Sequence, residues 1–353
     1  MSRILRLKRQ LTKLNFDNFL VTHLSNIRYL CGFSGSAGVQ IITPKKVRFF
    51  TDFRYQEQAA QQVHDAEVII YKADYFKELK RHNYKLKGRT GFEAAYLDVL
   101  TFNLYKSIFP NTDWIPSEKV IEEIAAVKEP SEIDIIRQAT AITDQVFAEI
   151  LPLIKPGINE LDISAEISYL HKKKGADGDS FDPIVASGPR SALPHGIASD
   201  RKIKANEPVT IDMGGVYQGY ASDLTRTVFV GRADSKFINI YNLVRTAQKA
   251  AMRAVRPGMK AKDLDEIARK VIRDEGYADH FGHGLGHGLG LDIHGEPRIN
   301  SLSNDVLTTG HVFTIEPGVY IPGFGGVRIE DDILVTTDGC EVLTKSPREL
   351  IEL

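Results

Sequence analysis

Five side chains in the second half of the sequence, Asp212, Asp223, His287, Glu316 and Glu330, are of the types that bind metal ions or move protons. Together they bring four carboxylates and one imidazole, more negative charge than a protein interior tolerates unpaired. Two divalent cations about 3.5 to 4 Å apart would neutralise it, and oxygen-rich ligation favours hard or borderline ions such as Mn²⁺, Co²⁺, Fe²⁺ or Zn²⁺. His287 lies in residues 281–297, where three of the chain's ten histidines, His283, His287 and His294, are interleaved with six glycines. A general base, a metal ligand or a bound anion would each suit this stretch, and its composition implies that something comes close to the backbone. Taken singly, each carboxylate reads as a solvated surface group or a turn cap. As a set placed on strands and strand ends, they read as a site.

The elements that must hold these residues follow from periodicity. Residues 209–230 read as a hairpin, with a strand ending at Asp212, a Gly-rich turn and a returning strand through Asp223, which can set the two aspartates side by side. Residues 312–318 put Glu316 at a strand end before a Pro-Gly turn. Residues 327–335 read as one strand, with Arg328 and Glu330 on one face and Val327 and Ile329 on the other. Upstream, apolar residues from Ile133 to Ile150 spaced by three and four predict a helix that starts at Pro130-Ser131 and is stopped by Pro156-Gly157. Further helices are predicted over 161–174, 236–255 and 261–275.

The first third has a different grain. Predicted strands over 18–22, 39–42, 47–51 and 66–71 alternate with helices over 26–30 and 55–63, which makes an α/β domain. Ahead of it, Ile4, Leu5, Leu7, Leu11 and Leu14 fall near one face of an opening helix. A short polar stretch with Pro116, between Trp114 and Pro130, marks the boundary, giving expected domains over 1–126 and 127–353.

Composition narrows the function classes. The 45 basic and 46 acidic residues leave a net charge of -1, so no global field favours nucleic acid or an anionic membrane. No apolar run approaches the roughly 20 residues that span a bilayer, and the N-terminus lacks the apolar core of a signal peptide. Two cysteines, Cys31 and Cys340, without CxxC spacing fit a reducing compartment; the expected location is cytoplasmic. The Gly-rich loop 32–38 lacks the Lys-Ser/Thr of a phosphate cradle, no register of 281–297 gives GxGxxG, and there is no HExxH glutamate.

The five residues stand in Ile-Asp-Met-Gly, Ser-Asp-Leu-Thr-Arg, Gly-His-Gly-Leu-Gly-His-Gly-Leu-Gly, Thr-Ile-Glu-Pro-Gly and Val-Arg-Ile-Glu-Asp. In order and spacing this set resembles the dinuclear metallopeptidases of the pita-bread fold, and within them the proline-specific Xaa-Pro aminopeptidases and Xaa-Pro dipeptidases (prolidases). The resemblance runs over essentially the whole chain and implies an α/β (α+β) protein: a creatinase-like α/β domain followed by a pita-bread catalytic domain. It implies two divalent metal ions per subunit, Mn²⁺ or Co²⁺ foremost, with Asp212 chelating one, Asp223 and Glu330 bridging both, and His287 and Glu316 binding the other. A hydroxide bridging the two ions would attack the bond between an N-terminal residue and a following proline.

By the same resemblance, Glu316 would also relay a proton to the leaving nitrogen. His195 and His294 match histidines that hold the substrate and stabilise the oxyanion, and His283 matches one lining the cleft. Arg328 would orient Glu330 or meet the substrate carboxylate, for which Arg298 is the other candidate. Small peptides with proline second are the implied substrates, and a homodimer is the implied assembly. Methionine aminopeptidases share the five ligands but usually lack the first domain; creatinase and the histone-chaperone relatives share both domains but lack the ligands that this chain keeps, and a non-catalytic binding module on this fold is the remaining rival.

Overall fold

The hydroxyl of Ser2 caps the first helix, Arg3–Lys13, accepting from the Leu5 amide. Ile4, Leu7 and Leu11 are buried beneath it, whereas Leu5 and Leu14, expected on the same face, are exposed. At 100° per residue Leu5 falls on the side away from that stripe, and Leu14 is the capping residue just past the helix. The computed structural model describes residues 2–72, 74–81 and 84–353, in two units, Met1–Ala125 and Ala126–Leu353.

The first unit is built on a six-stranded sheet in the order Glu67–Tyr71, Val47–Asp52, Val39–Ile42, Asn18–Val21, Gly88–Glu93, Thr112–Ser117. The two pairings that involve Val39–Ile42 are antiparallel and the other three are parallel. The last two strands escape the periodicity argument. Trp114 to Pro116, expected as a polar boundary stretch, pair with Gly88–Glu93. An edge strand tolerates Pro116 because its missing N–H faces no partner.

In the second unit, the helices Pro130–Ile150 and Glu160–Lys173 cover a three-stranded antiparallel sheet of Ile184–Ser187, Glu207–Met213 and Leu224–Val230. Val146, Phe147, Ile163 and Ile167 meet Val185, Val209, Ile211 and Val228 in a shared apolar core. The first of these helices opens with a capping box in which Glu132 accepts from the Glu129 amide at 2.8 Å. A second core lies under helices Ser235–Ala254 and Ala261–Asp274. These back a five-stranded sheet in the order Gly295–Ile299, Gly286–Gly288, Val312–Ile315, Asp331–Val335, Cys340–Val342.

Two expectations about this half need correction. The hairpin over 209–230 does pair antiparallel, with Asp212 opposite Thr225, but its turn is itself folded into a small hairpin of Gly215–Tyr217 and Tyr220–Ala221. The run 327–335 is two strands. Gly325–Arg328 pairs with Gly318–Ile321 while Asp331–Val335 pairs with Val312–Ile315. Between them the Glu330 amide leaves both ladders and donates to the Thr225 carbonyl at 3.0 Å. The chain changes sheets at the very residue expected to carry chemistry.

Candidate metal centre

Each of the five residues sits where a strand ends or a ladder breaks. Asp212 is the penultimate residue of Glu207–Met213 and Asp223 immediately precedes Leu224–Val230. Glu316 follows Val312–Ile315, and His287 is central in the short strand Gly286–Gly288. The glycines flanking His287 have a reason in packing. A Cβ on Gly286 would meet the Thr314 carbonyl oxygen at 1.9 Å, and one on Gly288 the Glu296 carbonyl oxygen at 1.9 Å. At these two positions the neighbouring strands by themselves require glycine.

All ten residues singled out in the sequence line one cavity of about 470 Å³. Asp223, His287 and Glu330 each offer a ligand atom within 4.8 Å of the others. The Nε2 of His287 stands 3.6 Å from Asp223 Oδ2 and 3.6 Å from Glu316 Oε1. These gaps are too long for hydrogen bonds, yet they converge from three sides. The other ring nitrogen, Nδ1, lies 3.2 Å from the Gly288 carbonyl; donating a proton there, it leaves the Nε2 lone pair directed at the carboxylates. Burial, and then the neighbouring His294, push the His287 pKa down to about 4, so the ring is neutral near pH 7.

The carboxylates tell the same story from the other side. Burial, followed by repulsion from its neighbours, raises Asp223 well above the carboxylate range; Glu330 behaves alike, and Glu316 is raised chiefly by burial. Asp212 Oδ1 and Asp223 Oδ1 are buried without a hydrogen-bond partner. Orphaned carboxylate oxygens, an available imidazole nitrogen and an excess of negative charge form the donor set that divalent cations satisfy.

Arg328 is the countercharge within this cluster, and every guanidinium nitrogen is engaged by protein. Its Nη2 donates to Asp212 Oδ2 at 2.6 Å, and Nη1 donates to the Pro194 carbonyl and the Tyr320 hydroxyl. Its Nε donates to Thr225 Oγ1 at 3.0 Å, and that hydroxyl donates to Glu330 Oε2 at 2.6 Å. Arg328 thus faces Asp212 directly and Glu330 through Thr225. Neither Thr225 nor Tyr320 was singled out in the sequence. Thr225 stood inside the Ser-Asp-Leu-Thr-Arg motif, but what its hydroxyl bridges became visible only with the pairing of strands 101 or more positions apart.

The remaining residues ring the cavity. His294 is exposed, its ring 4.5 Å from that of His287. The Nε2 of His283 lies 2.9 Å from the Tyr320 hydroxyl, and burial drives its pKa down to about 4. His195 is exposed on the loop after Ile184–Ser187. Arg298 donates from Nη2 to the His294 carbonyl and keeps its side chain 41% exposed, so part of the guanidinium remains open to the cavity.

A β-strand scaffold presenting such a carboxylate and histidine cluster, preceded by a separate α/β unit, defines a metal-dependent hydrolase. Residues 134–337 match metallopeptidase family M24, and residues 3–127 match the creatinase/prolidase N-terminal domain; the chain belongs to metallopeptidase family M24. It is 38% identical to the Xaa-Pro dipeptidase of Pyrococcus furiosus, with 99% of each chain covered. Among solved structures, the Xaa-Pro dipeptidase from Bacillus anthracis superposes with a TM-score of 0.95 at 41% identity, covering 99% of both chains. The X-Pro aminopeptidase from Thermotoga maritima does so at 0.89 and 35% identity, over 98% of this chain and all of that one, 100%.

Proposed function

We propose that this metallopeptidase hydrolyses the bond between an N-terminal residue and a following proline, with Xaa-Pro dipeptides as its main substrates. The observation behind hydrolysis is the convergence of four carboxylates and His287 on one cavity, with buried oxygens left unpartnered. The proline preference rests on the Xaa-Pro relatives. The leaning towards dipeptides rests on Arg298, whose half-open guanidinium suits a free C-terminal carboxylate.

In this reading Asp212, Asp223, His287, Glu316 and Glu330 hold two divalent cations, Mn²⁺ or Co²⁺ foremost. When bound, such ions polarise the scissile carbonyl and acidify water towards neutrality. The chain's own groups do the rest. Arg328 holds the Asp212 carboxylate in place, and Thr225 does the same for Glu330. Glu316, whose Oε1 lies 3.6 Å from His287 Nε2, takes the proton released by the attacking water and passes it to the proline nitrogen as that bond breaks. His195 and His294 donate to the carbonyl oxygen as negative charge grows on it. His283, neutral and tied to Tyr320, lines the wall beside them. A homodimer in the cytoplasm completes the proposal; no helix among the described residues is long and apolar enough to cross a membrane.

Cleavage of Ala-Pro and Ala-Pro-Ala, measured with Mn²⁺, Co²⁺ and Zn²⁺ in turn, tests it. Faster turnover of Ala-Pro is expected. Metal-replete protein that leaves both peptides intact would end the proposal, and preference for the tripeptide would move it to an aminopeptidase.

A further inference from the structure

We infer that Glu160 is a positioning residue that fixes the loop carrying His195 against the cavity. The inference rests on the role given to His195 above.

Glu160 opens the helix Glu160–Lys173 and is fully buried, 0% exposed. Its two oxygens take different ends of one loop. Oε1 accepts from the amide and hydroxyl of Ser187 at 2.8 and 2.7 Å; Oε2 accepts from the amide and hydroxyl of Ser199 at 3.1 and 2.7 Å. The Arg190 Nε, from within the loop, lies 3.1 Å from Oε2. One side chain therefore closes the segment from 187 to 199 at its base, as a loop whose ends meet.

The far side of the loop is tied separately to the strand Gly325–Arg328. The Gly326 amide donates to Ser191 Oγ at 2.8 Å, and Arg328 Nη1 donates to the Pro194 carbonyl at 3.1 Å. His195 lies next to that carbonyl, and its imidazole makes no hydrogen bond of its own among the described residues. Its place is set by the backbone, which is held by these two anchors and, two residues on, by the bridge of Ile197 to Ile184 and the bond from Arg190 Nη2 to the Ile197 carbonyl.

The chemistry of the base demands a carboxylate. Two backbone amides and the Arg190 guanidinium facing it can only donate, and the hydroxyls of Ser187 and Ser199 donate to it as well. Glutamine has the same shape, but its NH₂ would confront donors, and it carries no charge for Arg190. A misplacement of about 1 Å at a group that meets the transition state costs on the order of a hundredfold in rate. The alternative is that Glu160 only holds the fold together, in which case its loss lowers stability without acting through His195.

The test compares Glu160→Gln, His195→Ala and the double variant, each loaded with Mn²⁺. Hydrogen exchange of residues 188–198 in Glu160→Gln is expected to speed up by about tenfold or more. Its metal content should equal that of the unaltered protein. Its kcat on Ala-Pro should fall about thirty- to a hundredfold with little change in KM, and the double variant should be no slower than His195→Ala. Should Glu160→Gln fail to fold, Ser199→Ala removes one of the base bonds and should give the same pattern at about threefold to tenfold.

Unchanged exchange in the loop, loss of metal, or kcat losses that multiply in the double variant would each overturn the inference. So would a His195→Ala enzyme with undiminished kcat. If the unaltered protein cleaves no Xaa-Pro peptide, the proposed substrate falls, and the exchange measurement still decides whether Glu160 sets the loop.

Discussion

Glu330 and Asp331 are consecutive in the chain and both buried, at 2% and 0% exposure, yet their surroundings are opposite. Asp331 receives Arg226 Nη2 and Thr344 Oγ1 on one oxygen, and Arg348 Nε and Gln248 Nε2 on the other, all between 2.6 and 2.8 Å. Burial alone would raise its pKa, but the two guanidiniums outweigh that and hold it below the usual carboxylate range. Among the described residues Glu330 accepts a side-chain hydrogen bond from Thr225 alone and has Glu316 and Asp212 as acidic neighbours, and burial with their repulsion drives its pKa up. The step from one residue to the next crosses from a finished ion-pair network to a cluster in deficit of positive charge. Burial does not distinguish the two carboxylates; the unmet charge does, and it marks the place where a cation belongs.

The sharpest way to break this contrast is Asp223→Asn, which keeps shape and burial and removes one negative charge from the deficient side. Loss of bound metal is expected, with activity on Ala-Pro lower by about ten-thousandfold, equivalent to about 5 kcal/mol of barrier. Elemental analysis of the purified variant checks the first and steady-state rates the second; a variant that kept both would show that Asp223 is not part of the cation site. The finished side responds differently. Asp331→Asn leaves Arg226, 1% exposed, facing a neutral amide, and stability should fall by about 3–5 kcal/mol. In metal-free protein Glu330→Gln should be neutral or stabilising, because it relieves repulsion. Urea melts of the two variants read this directly, and equal destabilisation would erase the distinction.

Titration separates the two clusters by sign. Asp331, with a folded pKa below its unfolded one, contributes stability above the ordinary carboxylate range and loses it as pH falls through the depressed value. Asp223, Glu316 and Glu330 run the other way in metal-free protein. Their folded pKa values lie above the unfolded ones, so the folded state binds more protons and stability declines as pH rises beyond the carboxylate range. Each pKa unit of such a difference is worth about 1.4 kcal/mol. Cations replace those protons, so melting curves between pH 5 and 8 should slope downward for chelator-treated protein and lose that slope with Mn²⁺. The same slope under both conditions would place the raised carboxylates outside the cation site.

Local signals carried the α/β first third, the four carboxylates, the histidines of residues 281–297 and Arg328, whereas the pita-bread second domain and the candidacy of His195 and Arg298 came through the resemblance of the motifs. Pro130 and the spacing from Ile133 to Ile150 define a helix observed over Pro130–Ile150, and carboxylates at strand ends need only a period of two and a turn to be noticed. Unread features depend on partners distant in sequence. Gly88–Glu93 and Thr112–Ser117 are strands because each pairs with the other and the former with Asn18–Val21, and neither alternates clearly alone. The break at Glu330 depends on the Thr225 carbonyl taking an amide that the ladder would otherwise use. Gly286 and Gly288 have a packing reason that the sequence did not show, clearance for the carbonyls of Thr314 and Glu296.

Thr225 offers the smallest and most discriminating perturbation of the contrast. It is fully buried, lies opposite Asp212 in register, donates to Glu330 and accepts from Arg328, so one hydroxyl couples the Arg328 guanidinium to a carboxylate 105 positions further along the chain than Thr225 itself. Thr225→Val keeps the volume and the strand preference and removes only the hydroxyl. The Nε of Arg328 is then buried without an acceptor, at a cost of about 1–2 kcal/mol, and Glu330 is free to turn away from its neighbours. A fall of about tenfold in kcat/KM is expected, in line with the loss of a group that orients a metal ligand, while Thr225→Ser stays close to the unaltered protein. A valine variant with lowered stability and full activity would mean that the cations themselves, and not the hydroxyl, hold Glu330 in place.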